Sequence, residues 1–313
     1  MNKNDKIFVA GHKGLVGSEI VRKLEAEGYK NIITATHKEL DLTRQARTEL
    51  FFHANKPDYV FLAAAKVGGI MANSTYAADF TYENLMVECN ITKCCHDFGV
   101  KKLLFLGSSC IYPRDCPQPI REEYLLSSAL EKTNEGYAIA KIAGIILGQK
   151  FKHQYGTNII SLMPTNLYGS INDNYDPKNS HVLPGMIRKF HDAKTKGDKS
   201  VELWGTGTPF REFLHVSDLA DAAIFLMNNY DSEEIVNVGS GDEISIKDLA
   251  TTIKNVVGFK GMVSFNTDYP DGTPRKFLDT SRLRKLGWKP KISLKEGLES
   301  TYRDLLRTNK FNM

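Results

Sequence analysis

Residues 7–17 read Ile7-Phe8-Val9-Ala10-Gly11-His12-Lys13-Gly14-Leu15-Val16-Gly17. A short apolar, partly β-branched run leads straight into three glycines spaced Gly-x-x-Gly-x-x-Gly, and an amphipathic pattern follows over 15–28. Glycines let a chain turn sharply behind a strand and approach a pyrophosphate, whose charge then sits on the helix N-terminus. The spacing differs from the Gly-x-Gly-x-x-Gly dinucleotide fingerprint, so a plain tight strand-to-helix turn is the competing reading. Its position between the first strand and the first helix favours a nucleotide site.

The same alternation continues outward. Strand patterns over 7–11, 31–35, 59–65, 101–107 and 158–163 alternate with helical ones over 15–28, 78–98 and 137–155. This spacing predicts an α/β protein with a Rossmann-type, doubly wound parallel sheet covered by helices on both faces. Past Met163 the pattern loosens into a stretch rich in Asn, Asp, Gly and Pro (165–179) and a charged loop (194–199). Strand and helix signals return over 212–228 and 236–257. The expected organisation is a nucleotide-binding domain over 1–165 with a return segment near 212–236. Segments 166–211 and 237–313 are expected to form a smaller, discontinuous α/β substrate lobe.

Composition narrows the function classes. With 42% apolar and 25% charged residues, the 313-residue chain is not disordered, collagenous or a coiled coil. No apolar run approaches the ~20 residues that span a bilayer, and the N-terminus has no signal-peptide pattern, so a cytoplasmic protein without a membrane partner is expected. The 41 Lys+Arg against 37 Asp+Glu are interleaved. That argues against nucleic acid while leaving local basic pockets for a phosphorylated small molecule. Cys89, Cys94, Cys95, Cys110 and Cys116 are odd in number and contain no Cys-x-x-Cys pair, so neither a disulfide framework nor a metal site is expected.

Two constellations carry chemistry. An NAD site usually places Asp or Glu about 20 residues past the glycines to bond the ribose 2′-hydroxyl. Here the second strand ends in Thr36-His37-Lys38, which with Lys13 suits a 2′-phosphate and favours NADP; Glu39 keeps NAD open. Tyr137 and Lys141 lie one helical turn apart, and the strand over 101–107 ends in Ser108-Ser109-Cys110, where ligands meet parallel sheets. A lysine ammonium beside a phenol lowers its pKa and makes Tyr137 a workable acid, while Ser108 bonds the same carbonyl oxygen. The three suit hydride transfer at a sugar or alcohol carbon; a surface helix pair is the bland alternative.

With Gly11, Gly14, Gly17, Ser108, Tyr137 and Lys141 in this order, the chain resembles the extended short-chain dehydrogenase/reductase family. Later segments agree: Pro164-Thr165-Asn166-Leu167-Tyr168-Gly169, the run from Arg211 to Asp218, that from Asn237 to Gly241, and Leu286-Gly287-Trp288. A closer likeness, to that family's epimerase/reductases of GDP-4-keto-6-deoxy-D-mannose, rests on four stretches. They are Ala63 to Ile70, Leu106 to Pro113, Asn179-Ser180-His181-Val182, and Pro270 to Lys276.

The resemblance implies NADP(H), held by Gly11, His12, Lys13, Gly14, Leu15, Val16 and Gly17 and by His37, Lys38, Asp41 and Leu42. Further cofactor contacts fall on Leu106, Gly107, Ser108, Tyr137, Lys141, Pro164, Thr165, Asn166, Leu167 and His181. The implied reaction is epimerisation at C3 and C5 and reduction at C4, giving GDP-L-fucose. A 4-keto sugar has acidic protons beside its carbonyl, and thiol and imidazole both cycle near neutral pH. Cys110 is expected as base and His181 as acid, with Tyr137 and Ser108 on the C4 oxygen and Lys141 also on the nicotinamide ribose. Lys189, Trp204, Arg211 and Asp271 are expected to bind the GDP-sugar. A homodimer through helices 78–98 and 137–155, with the stripe Ile139, Ala143, Ile146 and Lys150, follows from the same likeness. The open alternatives are a C4 reductase of a GDP-4-keto-heptose, a UDP-sugar 4-epimerase, and a non-catalytic NADP sensor.

Overall fold

The computed structural model describes residues 1–176, 180–269 and 271–312, so Asn179 and Pro270 of the motifs above lie outside the described residues. The first half of the chain runs β1 (Lys6–Ala10), α1 (Leu15–Ala26), β2 (Asn31–Ile33), α2 (Gln45–Asn55), β3 (Tyr59–Leu62), α3 (Ile70–Thr75), α4 (Ala77–Asp97), β4 (Lys102–Leu106), α5 (Glu135–Tyr155) and β5 (Ile159–Pro164). It continues as β6 (Asn166–Tyr168), α6 (Val182–Lys196), β7 (Ser200–Trp204), β8 (Phe210–His215), α7 (Val216–Asn229), β9 (Val236–Val238), β10 (Glu243–Ser245), α8 (Ile246–Val257), β11 (Met262–Asn266), β12 (Arg275–Lys276), α9 (Ser281–Lys285) and α10 (Leu294–Arg307).

Six parallel strands form the main sheet in the order β2-β1-β3-β4-β5-β9. Their near-continuous apolar character reflects burial on both faces. Side chains alternate across the pleat: Ile7, Val9, Phe61, Leu104 and Leu106 pack with Ile20 and Leu24 of α1 and Leu219 and Leu226 of α7. Phe8, Val60, Leu62, Leu103 and Phe105 face the other way, onto Phe52 of α2, Ile91 of α4 and Ile142 and Ile145 of α5. Complete burial of each such side chain is worth about 1.5–3 kcal/mol, and that fixes the register. The chain reverses direction across the sheet at β1, with β2 on one side and β3 on the other, so a crevice opens beyond the ends of β1 and β3.

A second sheet, β10-β8-β12 with β6 also on β8, and a parallel pair β11-β7 cover a third core under α6, α8 and α10. The chain re-enters the main sheet through α7 and β9, whereas β8, at the start of the expected return segment, lies in the second sheet. Fully buried Glu212 on β8 joins the neighbouring segments: its carboxylate accepts from the Gly241 and Leu278 amides at 2.8 and 3.2 Å. The expected charged loop over 194–199 is shorter than its charge suggests. Lys194 and Lys196 complete the last turn of α6, because cations are favoured at a helix C-terminus and Gly197 takes the left-handed cap at φ 73°.

Asp221 ties α7 to two distant segments. It meets Lys23 Nζ on α1 at 2.7 Å and accepts from Trp288 Nε1 and Lys291 Nζ, both at 2.9 Å. Burial alone would raise its pKa, but these three donors reverse the shift and bring it to about 2. A depressed carboxylate stabilises the fold above its unfolded pKa of about 3.9 and loses that contribution as pH falls through the folded value. Asp221→Asn should therefore cost about 1–3 kcal/mol at neutral pH in urea unfolding. The gap to wild type should close between about pH 4 and pH 2; a gap that persists there would discard the ion-pair account.

Candidate active site

The turn after β1 meets the turn after β3. Gly11 has φ +87°, and a Cβ built on it would lie 2.7 Å from the backbone nitrogen of Ala64, so only glycine fits. The next helix, α1, starts at Gly14 with neither a capping side chain nor an acid in its first turn. A Cβ on Gly14 would meet only the Gly11 carbonyl oxygen, at 3.4 Å. An open helix N-terminus with unopposed amides fits a pyrophosphate.

Lys13 in the turn after β1 and His37 and Lys38 past the end of β2 are exposed. Glu39 does not reach out as an acid for a ribose would: its Oε2 accepts both the Thr36 amide and the Thr36 hydroxyl at 2.8 Å. These two bonds hold its pKa down, with Lys13 and His12 adding to the effect. Asp41 Oδ1 is likewise held by the Thr43 amide and hydroxyl at 3.0 and 2.7 Å, and Leu42 is buried behind it. On the far side of the cleft, Thr165 and Asn166 follow Pro164 at the end of β5, and both side chains donate to the Glu212 carbonyl. Leu167 lies on β6.

β4 delivers the reactive groups. Past Leu106 and Gly107, the Ser108 hydroxyl accepts from the Cys110 amide at 3.2 Å and caps a short 3-10 turn over Ser109–Ile111. This bond sets Cys110 beside the serine. Lys276 Nζ on β12 reaches Cys110 Sγ at 3.6 Å. Burial by itself would raise the thiol's pKa; the Lys276 charge and the bonds from Ser108 and Lys276 outweigh it, and the net shift is downward. His181 is the residue preceding α6, and desolvation in the cleft together with Lys276 lowers its imidazole pKa.

The Tyr137–Lys141 pair differs from expectation. Lys141, only 2% exposed, donates to the Leu106 carbonyl at 3.0 Å and pairs with Glu88 Oε1 at 3.1 Å. The Tyr137 phenol is pushed up rather than down: burial dominates, negative charge at Cys110 and Glu88 adds to it, and only the bond with Ser108 opposes. The ammonium is paired with Glu88, whose own carboxyl burial pushes up in pKa against the opposing pull of Lys141.

A cavity of about 400 Å³ opens at His181, lined also by Lys189, Trp204, Arg211, Asp271 and Met71 among others; Ser108, Cys110, Tyr137 and Lys141 are not part of its lining. All four expected substrate residues and His181 thus share one wall system, although they span some 90 positions of chain. Trp204 is 56% exposed and stacks on Tyr269, ring centroids 4.4 Å apart and 11° from parallel, with Lys189 Nζ 5.3 Å from the indole. Asp271 is partly committed, since its two oxygens take the Thr206 amide and hydroxyl at 2.9 and 2.7 Å. Sequence reasoning missed Lys276, Glu88, Tyr269 and the α3 residues Met71 and Ala72. Lys276 ended a quoted motif but was given no role; Glu88 left a signal as an acid among the apolar positions of a helix.

Residues 7–239 match the model of the NAD dependent epimerase/dehydratase family. The chain belongs to that family. Within it, the chain is 59% identical over 301 residues to GDP-L-fucose synthase 1 of Arabidopsis thaliana, covering 96% of this chain and 93% of the relative. It is 51% identical over 306 residues to the GDP-L-fucose synthase of Escherichia coli, covering 95% of each. Among solved structures of the family, a GDP-mannoheptose C4 reductase from Campylobacter jejuni with NADP bound matches with a TM-score of 0.90 and 40% identity, over 98% of this chain and 99% of that one.

The Lys276–Cys110 contact has a direct chemical signature. Alkylation of Cys110 by iodoacetamide should reach half-maximal rate below the ordinary free-thiol pKa of about 8.5. Lys276→Met should move that midpoint upward. An identical midpoint in both proteins would show that the ammonium does not tune the thiol.

Proposed function

We propose that this chain converts GDP-4-keto-6-deoxy-D-mannose to GDP-L-fucose, by epimerisation at C3 and C5 and NADPH-dependent reduction at C4. The observation that carries this reading is Cys110: a thiol next to a lysine ammonium, beside Ser108, on the edge that also bears Tyr137 and Lys141. A plain C4 reductase has no use for a thiolate there. Identities of 51–59% to five of the proteins named GDP-L-fucose synthase, against 40% to heptose reductases, support the same choice, while others named GDP-L-fucose synthase or synthetase stand at 29–46%.

The protons beside the C4 carbonyl are acidic because the carbanion delocalises into an enolate. Cys110, biased toward thiolate, is the base. Ser108 and Tyr137 bond the C4 oxygen and stabilise enolate charge at a preorganised site. His181 is neutral at rest. The substrate's diphosphate, held by Lys189 and Arg211, adds negative charge to the cleft and acts on His181 in the opposite sense to Lys276, favouring the imidazolium that an acid requires. When bound, NADPH supplies the hydride that reduces C4. Tyr137 then gives its proton to the C4 oxygen, and Lys141 also bonds the nicotinamide ribose. The open N-terminus of α1 would hold the pyrophosphate of NADPH, and Lys13, His37 and Lys38 would hold its 2′-phosphate, while Glu39 is bonded to Thr36. Trp204 stacks on the guanine.

The enzyme works in the cytoplasm as a homodimer, with α4 and α5 of each copy forming a four-helix contact; Tyr82 and Ile139, both exposed on these helices, are its apolar surface. No helix of the described residues is long and apolar enough to cross a membrane.

The decisive experiment incubates protein, NADPH and GDP-4-keto-6-deoxy-D-mannose in deuterated water and reads the product by proton NMR. Cofactor oxidation with deuterium at both C3 and C5 is expected. Oxidation without deuterium would reduce the enzyme to a C4 reductase, and turnover of a GDP-4-keto-heptose alone would replace the substrate. Lys38→Asp should raise KM for NADPH far more than for NADH; equal effects would remove Lys38 from the 2′-phosphate.

A further inference from the structure

Glu88 lies on α4, on the face that packs against α5, and is 1% exposed. Among the described residues neither carboxylate oxygen has a hydrogen bond of good geometry and the one cation in reach is Lys141 Nζ, 3.1 Å from Oε1; burial pushes the Glu88 pKa up and Lys141 pulls it down. A carboxylate taken out of water costs several kcal/mol unless it is paired, and such a group is retained only where something holds it. The facing helix makes room for it. At Gly144, one turn beyond Lys141 toward the C-terminus, a Cβ would lie 2.6 Å from Glu88 Oε2 and 2.7 Å from the Phe105 ring. Lys141 Nζ lies 4.8 Å from the Phe105 ring centroid and donates to the Leu106 carbonyl at 3.0 Å.

The groups around Tyr137 come from four elements. Lys141 shares its helix, Glu88 faces from α4, Ser108 and Cys110 stand on the turn after β4, and Lys276 reaches Cys110 from β12. Lys276 also acts on His181, and Cys89 is the titratable neighbour of Glu88 on α4. Lys141 Nζ lies 5.9 Å from the Tyr137 ring centroid. An unpaired ammonium at that distance favours phenolate, which has no proton to give.

We propose that Glu88 is a positioning residue that neutralises Lys141 and so keeps Tyr137 as a phenol, the form that must protonate the C4 oxygen in the reductive direction. This rests on the reading of Tyr137 as the proton donor. Reduction leaves an alkoxide at C4; the phenol O–H bond breaks, the alcohol O–H bond forms, and solvent restores the phenol proton. Glu88 acts without touching substrate. It balances the charge that would otherwise pull the proton off Tyr137 before the substrate needs it.

The test uses the full-length protein without cofactor or substrate. Tyrosinate absorbance is titrated against pH, and the Tyr137 signal is isolated by difference from a Tyr137→Phe counterpart of each variant. Wild type should show no Tyr137 ionisation below the ordinary tyrosine range near 10. In Glu88→Gln the midpoint should fall by at least about one pH unit, a tenfold larger ionisation constant. The basic limb of kcat/KM for the keto sugar should fall by the same amount. Glu88→Asp, which withdraws the charge by one methylene, should shift both in the same direction by less, and it carries the test if the Gln variant does not fold. An unmoved phenol midpoint in a folded variant overturns the proposal, as does lost activity with an unchanged pH profile, which would mark Glu88 as packing only. If the phenol shifts as expected while wild type reduces no GDP-4-keto sugar, the charge balance stands and the assigned reaction falls.

Discussion

Parallel pairing is the constraint from which the rest follows. Strands that all run one way, with crossovers packed on both faces, must end on the same edge of the sheet. The turns after β1, β3, β4 and β5 therefore come together although their residues are far apart in sequence: Gly11, Ala63, Gly107 and Thr165. Each end contributes a different chemistry. The β1 turn offers open helix amides, the β4 turn offers hydroxyl and thiol, and the β5 end passes the chain through β6 toward the second sheet. Burial of the sheet on both faces holds these ends rigid, so the turns need few internal bonds to keep their geometry.

Two lysines organise the electrostatics of that edge, and they act oppositely because their partners differ. Among the described residues Lys276 has no ion-pair partner, and its charge bears on the Cys110 thiol and the His181 ring. Lys141 is paired with Glu88, and the Tyr137 phenol is pushed up by burial, with negative charge at Cys110 and Glu88 adding to it. One cleft thus holds a thiol displaced toward its anion and a phenol displaced toward its neutral form. A reaction that first removes protons from carbon and later donates one to oxygen requires that separation. The same cleft also gathers Lys189 and Arg211 around the cavity, where burial disfavours their charge until an anion arrives.

Local patterns made much of this legible in advance. The main-sheet strands and the helices at 15–28, 78–98 and 137–155 were readable because their side chains repeat with the period of the element they form. The β4 end and the Tyr–Lys spacing pointed to the reactive edge through a rule about strand ends. The helices α2, α6 and α10 and the strands β7 and β11 were not singled out, and the charge of 194–199 disguised the end of α6. Their signals are short or compete with polar composition, and their pairings join residues some 60 apart, as in the register of β11 on β7.

The amino-acid sequence by itself determined the layered α/β fold, the nucleotide-binding turn and the identity of the groups at the strand ends, because these depend on local periodicity and on residue types a few positions apart. Only the tertiary structure decided which charges face each other. Glu88 and Lys141 stand 53 positions apart, and Cys110 and Lys276 stand 166 apart. Whether a lysine sharpens an acid or is silenced by a carboxylate depends on distances of about 3–4 Å in a medium with little water. Packing sets those distances, and no spacing along the chain encodes them.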